Sequence, residues 1–324
     1  MPVPRRVFIT GASGFIGGGL AKHYRELGAE VRGMDVRADP AAGIVAGDVA
    51  ARGPWQAHAE GCDLVIHTAA VVSLRLRDPD GVWRANVLGT EHALQAAERG
   101  GAERFVHFSS VTVFGMAFPD GVDERHPVRT SQIPYPDSKI ASEQVVLQAH
   151  LDGRVPVTVV RPGDVYGPRS RAWAVQPVEL LRARRFVLPA GGRGIFSPVH
   201  VDDLVAGVVA AAATPAAAGQ VFTLSGGVGV TNREFFGAYA DALGMRLPTV
   251  PAPIARRVAA AVDRLDRNGT GDVNPRSVDY LMRTGTYSIA KAGRVLGWAP
   301  EVGLDAGMAG TLAWLRAEGL LPRR

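Results

Sequence analysis

Residues 6–28, "RVFITGASGFIGGGLAKHYRELG", constrain the fold more than any other stretch. The β-branched, apolar run at 6–10 reads as a short strand, and the apolar spacing from Gly14 to Leu27 reads as a helix ended by Gly28. Gly11, Gly14 and Gly17 stand at the junction. Their missing side chains permit a tight turn, the close approach of a pyrophosphate and close packing of helix on strand. Glycines at such a turn can serve packing alone, and the spacing G-x-x-G-x-x-G differs from G-x-G-x-x-G. The position directly after the first strand is what favours a nucleotide site.

The same alternation continues downstream. "EVRGMD" (30–35), "GIVAGD" (43–48), "DLVIHTAA" (63–70), "ERFVHFSS" (103–110) and "VPVTVVRP" (155–162) are short apolar runs, most of them separated by helical segments. Runs of that kind predict an α/β fold: a Rossmann-type doubly wound parallel sheet. After Tyr166 the texture changes to Pro, Gly and Arg, and then "VHVDDLVAGVVAAAA" resumes a helix and "QVFTLSGG" a strand. The expected division is therefore a nucleotide-binding domain of residues 1–165 plus about 199–225, and a smaller, discontinuous C-terminal substrate lobe of 166–198 plus about 226–324.

Composition excludes several classes. With 47% apolar and 21% charged residues among 324, the chain can bury a sizeable core. The net charge of +5 comes from scattered Arg rather than basic blocks, so no nucleic-acid partner is expected. Cys62 is the single cysteine and lies in an apolar stretch, which fits a packed thiol in a reducing compartment. The N-terminal apolar run is too short for a signal peptide or a membrane span, so a cytoplasmic protein is expected. No metal-ligand spacing is present.

Asp35 ends the second strand, about twenty residues beyond the glycine turn, where a carboxylate accepts hydrogen bonds from an adenosine ribose and repels a 2′-phosphate. NAD is favoured over NADP, although Arg37 stands two residues further on as a possible phosphate partner. "YPDSK" (135–139) puts a phenol and an ammonium one helical turn apart if 136–150 is helical. The ammonium is then expected to favour the phenolate, whose unperturbed pKa of about 10 must fall before it serves as an efficient base.

These pieces, taken with "GDV" (47–49), "VIHTAA" (65–70), "NVLGT" (86–90), "FSSVTVFG" (108–115), "RPGDVYGP" (161–168), "VHVDDL" (199–204) and "LGWAP" (296–300), resemble the extended short-chain dehydrogenases/reductases, the NAD-dependent epimerase/dehydratase family, in that family's order. The resemblance implies that Ser110, Tyr135 and Lys139 are catalytic, Ser110 binding the substrate oxygen and Lys139 also holding the nicotinamide ribose. It implies that Ser13, Phe15, Ile16, Thr68, Pro162 and Val165 border the cofactor beside the three glycines. Asp48 and Val49 would lie against the adenine, the Ala69 and Ala70 backbone would line the site, and Asn86 would order it. It also implies a homodimer built on the helices that follow Asp80 and Tyr135.

Departures from the family pattern narrow the chemistry. Its dehydratases carry an Asp-Glu pair after the catalytic hydroxyl, where this chain has Val111 and Thr112. Its epimerases carry a diphosphate-gripping Arg where this chain has Phe196, and an Asn where it has Asp164. Thr112, Asp164 and Phe196 are thus candidate substrate neighbours. "AWAVQPVELL", "RRFVLPAGG" and "PIARRVAAAVDRL" suggest an apolar lining. The expectation is an NAD-dependent oxidoreductase interconverting a bulky apolar secondary alcohol and its ketone, similar to 3β-hydroxysteroid dehydrogenases. A sugar-nucleotide 4-epimerase, with Arg169, Arg171, Arg184 and Arg193 clamping the diphosphate, and a non-catalytic NAD-binding regulator are the alternatives.

The remaining polar residues receive structural readings. His67, His107 and His200 read as core or strand-end histidines, Asp202 and Asp203 as helix N-caps, and Asp123 and Glu124 as a solvated loop. Residues 253–267 read as an ordinary packed helix; Tyr280, Met282 and Arg283 are candidates to overhang the substrate, with core packing the preferred reading for Tyr280 and Met282 and surface exposure for Arg283.

Overall fold

The computed structural model describes residues 3–72, 78–266 and 273–322. In chain order the elements are β1 (Arg6–Thr10), α1 (Phe15–Glu26), β2 (Glu30–Asp35), β3 (Ile44–Ala46), β4 (Leu64–His67), α2 (Pro79–Trp83), α3 (Gly89–Gly100), β5 (Arg104–Phe108), α4 (Pro134–Leu151), β6 (Val157–Pro162) and β7 (Asp164–Tyr166). They continue with α5 (Gln176–Arg182), β8 (Leu188–Pro189), β9 (Ile195–Phe196), β10 (Pro198–His200), α6 (Val201–Ala213), β11 (Gln220–Leu224), β12 (Val230–Thr231) and α7 (Asn232–Ala242). The last are β13 (Thr249–Val250), α8 (Ala252–Leu265), α9 (Pro275–Tyr280), α10 (Ala290–Leu296) and α11 (Leu304–Ala317).

Seven strands form one parallel sheet in the order β3-β2-β1-β4-β5-β6-β11. Its strands read as continuous apolar runs because both faces are covered. On one face Leu20 and Tyr24 of α1 pack with Leu204 and Val208 of α6, and Trp298 closes the cluster. On the other, Leu94 and Ala97 of α3 and Val146 of α4 pack on Phe8, Val65 and Phe105. The order reverses beside β1, whose neighbours are β2 and β4. That switch point opens a crevice at the carboxyl ends of the strands, where ligands of open α/β sheets bind.

Residues beyond β7 build a third cluster, in which Phe196, Phe235, Phe236 and Tyr239 pack with Tyr166, Leu181 and Leu315. The short pair β7–β10 closes residues 164–200 on themselves, and β9–β12 and β8–β13 stitch that segment to the later chain. Meanwhile α6 and β11 return to the large sheet, as the resumed apolar pattern indicated.

Two expectations need correction here. Neither Asp202 nor Asp203 caps α6, although both stand in its first turn: the ring of His200 accepts from Asp202 N at 3.3 Å at the cap position. The Asp203 carboxylate instead accepts from Glu301 N (2.9 Å) and Val302 N (3.1 Å), and so fastens the segment leading into α11. Residues 252–265 do form α8, but of its side chains Ala259 alone is buried. The expected helix end at Arg267 lies outside the described residues.

Candidate active site

The β1–α1 turn is built by exclusion. Gly11 has φ of +73°, and a Cβ there would sit 2.7 Å from Thr68 Oγ1; a Cβ on Gly17 would sit 2.1 Å from Gly11 O. Only glycine fits either place, so the turn lies flat against the exit of β4. Gly14 caps α1 without a side-chain hydrogen bond, and the first turn holds no acidic residue. The amide N–H groups and the positive end of the helix dipole therefore face the crevice, a ready site for an anion. Phe15 and Ile16 are half-buried behind it.

Asp35 stands at the end of β2 with Oδ2 accepting from Ser13 N at 3.0 Å and Oδ1 from Val36 N at 2.8 Å. Its carboxylate thereby flanks the glycine turn, where a ribose diol would meet it; Arg37 is exposed two residues on. Asp48 turns its own loop by accepting from Ala50 N (2.9 Å), which sets buried Val49 against α3. Thr68 Oγ1 donates to Thr10 O at 2.7 Å and holds Ala69 and Ala70 at the rim. Pro162 and Val165 close the far side, both buried. A cradle that a Cβ would fill, an uncapped helix start and a carboxylate beside it fit a dinucleotide.

Arg169, one of the four arginines of the alternative epimerase reading, lies beside this turn. It follows β7 with a left-handed φ of +73°, and Nη1 comes within 3.9 Å of where a Gly18 Cβ would lie, against the first turn of α1. The positive φ, invisible in the sequence, turns the guanidinium toward the cofactor side. Arg171 is exposed and paired with Glu179 at 2.8 Å, while Arg184 and Arg193 are exposed.

Ser110, Tyr135 and Lys139 lie together at the carboxyl end of β5. Ser110 Oγ accepts from Thr112 N (3.1 Å) and from Thr112 Oγ1 (3.0 Å), which leaves its own proton to donate. Thr112 thus orients Ser110; at 5% exposure it is no open substrate contact. Pro134 starts α4, so Tyr135 occupies the first turn and Lys139 the next. Ser110 and Tyr135 are 9% and 8% exposed, enough to present an edge to the crevice. Lys139 Nζ donates to Phe108 O at 2.8 Å.

The electrostatics differ from expectation. Burial pushes the Tyr135 phenol above its ordinary value, and the hydrogen bond with Ser110 draws it back. Lys139 is pushed down to about 8 by burial, with Glu143 acting the other way. Desolvation dominates at both groups, so in the chain by itself the phenol holds its proton.

Glu143 sits one turn beyond Lys139. Its carboxylate takes Arg161 Nε (2.8 Å) and Nη2 (2.6 Å) and also accepts from Ser109 Oγ, beside Ser110. This buried fork–fork pair ties α4 to β5 and β6 directly beneath the reacting groups. Asn86, in a π-helical turn at Arg84–Leu88, is fully buried. Its amide bonds Val71 N (2.8 Å), Val71 O (3.0 Å) and Ser138 Oγ (2.9 Å). It is a staple between the 69–72 loop and α4, with its hydrogen-bonding groups spent on the protein. His67 and His107 are stacked, buried and held neutral: desolvation and the Lys139 charge draw His67 down to about 3 and His107 well below the usual imidazole value.

Asp164 and Phe196 prove not to be substrate contacts. Phe196 has no exposed surface and stacks on Phe235 at 4.1 Å. Asp164 is buried in a network: its carboxylate accepts from Ser197 N (2.9 Å), Arg283 Nη2 (3.0 Å) and the Tyr280 hydroxyl. Arg283, expected at the surface, is buried over the Tyr280 ring at 3.6 Å and also reaches Tyr287 Oη at 3.1 Å. An internal carboxylate makes that burial tolerable. Met282, expected in the core, instead lines a cleft of about 460 Å³ with Met116, Ala117, Ile133, Arg129 and Arg276. In the same lining Arg256 holds Asp279 at 2.8 Å. Asp123 pairs with exposed Arg125, whereas Glu124 accepts from Thr223 N at 2.6 Å and pins its loop to β11. Among the described residues no His/Cys/Asp/Glu group has metal-holding geometry, and no helix is long and apolar enough to cross a membrane.

Comparison with known proteins places this arrangement. The model of the NAD dependent epimerase/dehydratase family matches residues 7–224. A 4-hydroxy-2-methyl-3-oxo-4-farnesyl-3,4-dihydroquinoline-1-oxide ketoreductase of Stigmatella aurantiaca is 34% identical over 93% of this chain and 95% of its own length. A 3 beta-hydroxysteroid dehydrogenase/Delta 5-->4-isomerase of Mycobacterium tuberculosis is 30% identical over 91% and 86%. Among solved structures, the dTDP-glucose 4,6-dehydratase DesIV of Streptomyces venezuelae, with NAD and TYD bound, superposes with a TM-score of 0.77 at 26% identity over 96% of this chain and 97% of that one. Fold, glycine cradle and matched length agree: the chain is an enzyme of the extended short-chain dehydrogenase/reductase type and belongs to the NAD dependent epimerase/dehydratase family.

Proposed function

We propose that this enzyme interconverts a bulky apolar ketone and its secondary alcohol. NAD, bound in the β1–α1 crevice, accepts or supplies the hydride. Ser110, whose proton is not spent on Thr112, turns it from Tyr135 to the substrate oxygen as a hydrogen bond, and Tyr135 passes a proton to that oxygen in reduction or removes it in oxidation. Lys139 would hold the nicotinamide ribose from the next turn of α4, while Asp35 would take the adenosine ribose. The N-terminus of α1 and Arg169 would take the pyrophosphate. A phenol that keeps its proton suits the reductive direction at neutral pH.

One observation carries the reading. Around Ser110 and Tyr135 the neighbouring side chains Val111, Val113, Phe114 and Ile133 are apolar and buried, and the Thr112 hydroxyl is spent on Ser110. Two proton-active groups suffice for hydride transfer with one proton; an elimination of water needs a further acid/base pair. The farnesyl quinoline ketoreductase and the hydroxysteroid dehydrogenase act, by their names, on substrates of this class. With Phe196 buried in the core, the position where the family's epimerases carry a diphosphate-gripping Arg offers no such grip. A sugar-nucleotide epimerase is the second reading, because Arg129 and Arg276 line the cleft.

The deciding assay follows NADH oxidation with steroid, prenylated and aromatic ketones beside UDP- and dTDP-sugars. Turnover of apolar ketones supports the proposal. Interconversion of sugar-nucleotide epimers without net NADH change, and inert ketones, would replace it with the second reading. The same proposal divides the chain into a cofactor domain (1–165 plus about 199–225) and a substrate lobe (166–198 plus about 226–324) and places the enzyme in the cytoplasm as a homodimer. Exposed Trp83 and Leu88, beside α4, supply apolar surface for such pairing.

A further inference from the structure

Helix α8 bears an apolar stripe that the described chain leaves in solvent. Ile254, Val258 and Leu265 are 49%, 55% and 80% exposed. With exposed Ala261 they recur at intervals of three and four, and so share one face of the helix. Ala259, the buried residue of α8, falls on a different face. Exposed Arg257 and Arg264 border the stripe at helical spacing, while Asp263 falls on the far side. The neighbouring carboxylate of Asp279 is already matched by Arg256 at 2.8 Å.

We propose that α8 docks on an anionic lipid bilayer, with the stripe at the acyl boundary and Arg257 and Arg264 at the headgroups. Charge decides between this occupant and a second copy of the chain. An antiparallel two-fold pairing of the same stripe brings the arginine borders of both copies together, whereas anionic headgroups neutralise them. The net charge of +5 acts in the same direction. The helix lies on the surface and does not cross it, being 14 residues long.

The helix also borders the cleft, but from its side away from the stripe. Arg256, between Ala255 and Arg257, lines that cleft together with Met116, Ala117, Ile133 and Met282. Docking holds the enzyme on the surface into which a water-insoluble ketone partitions, a consequence that rests on the proposed apolar substrate; docking itself does not.

The test is flotation of the full chain with vesicles of equimolar phosphatidylcholine and phosphatidylglycerol, and with phosphatidylcholine alone. Wild type is expected to float with the anionic vesicles and to be released by high salt. The combined variant Ile254→Glu, Val258→Glu, Leu265→Glu is expected to lose at least about tenfold in partitioning, with thermal midpoint and turnover of a water-soluble ketone unchanged. Arg257→Glu with Arg264→Glu is expected to lose the preference for anionic vesicles. Wild type that stays unbound, or a stripe variant that floats as well as wild type, overturns the proposal. So does a stripe variant that converts a dimer to a monomer in sedimentation, which would make α8 a contact between copies. Vesicle binding by an enzyme inert toward every apolar ketone would sink the functional reading and leave docking standing; an active ketoreductase that ignores vesicles would do the reverse.

Discussion

Both hydrogen bonds that arrive at Ser110 Oγ come from Thr112, and this makes a buried residue matter for chemistry. Thr112→Val keeps the volume but removes one donor, so kcat is expected to fall by roughly tenfold to a hundredfold from misorientation of Ser110, while NAD affinity in calorimetry stays at the wild-type value. Arg169→Ala makes the opposite split. Losing a charge-assisted contact to the pyrophosphate should weaken NAD binding by about tenfold or more, with kcat retained at saturating NAD. Glu143 raises the Lys139 pKa, which burial has pushed down to about 8. Glu143→Gln removes the raising influence, so Lys139 loses its proton at a lower pH. The alkaline limb of kcat/KM is expected to move downward; a limb that stayed or rose would exclude this role for Glu143.

At the scale of elements, the large sheet was legible because its strands are short apolar runs punctuated by turn residues, and the glycine turn because the side chains it excludes are absent from the sequence itself. What was not legible depends on partners far along the chain. Arg283 reads as a surface residue until Asp164, 119 positions away, meets it inside the protein. Phe196 reads as a substrate neighbour until Phe235 of α7 packs on it. The amphipathic pattern of α8 was legible, but which face the fold would cover was not, since apolar periodicity is the same for a packed helix and for one that turns its stripe outward. The Asp164–Arg283 pair also carries a stability prediction. Asp164→Asn leaves a buried guanidinium without its counter-charge and should cost about 3–5 kcal/mol in denaturant unfolding. Asp164→Asn combined with Arg283→Met should cost less than the sum of the two single changes.

At the scale of the whole molecule, His67 and His107 stack at the carboxyl ends of β4 and β5, buried and neutral under the sheet's covering helices. His67 takes a proton only near pH 3 when folded, against about 6.5 when unfolded, and His107 is shifted in the same direction. The unfolded chain therefore binds more protons as pH drops, so their contribution is complete above about pH 6.5 and is lost progressively below it. The thermal midpoint is expected to decline from pH 7 to pH 5, and a flat profile would show these imidazoles to be solvated. The packing that keeps them neutral also holds β4, β5 and α4 in register, which brings Ser110, Tyr135 and Lys139 to one edge of the cofactor crevice. Single-turnover NADH oxidation by Tyr135→Phe, run with a ketone the wild type reduces and beside calorimetric NAD binding, tests that convergence most directly. The account predicts hydride transfer slowed by at least about a hundredfold with NAD affinity unchanged; hydride transfer at the wild-type rate would contradict it.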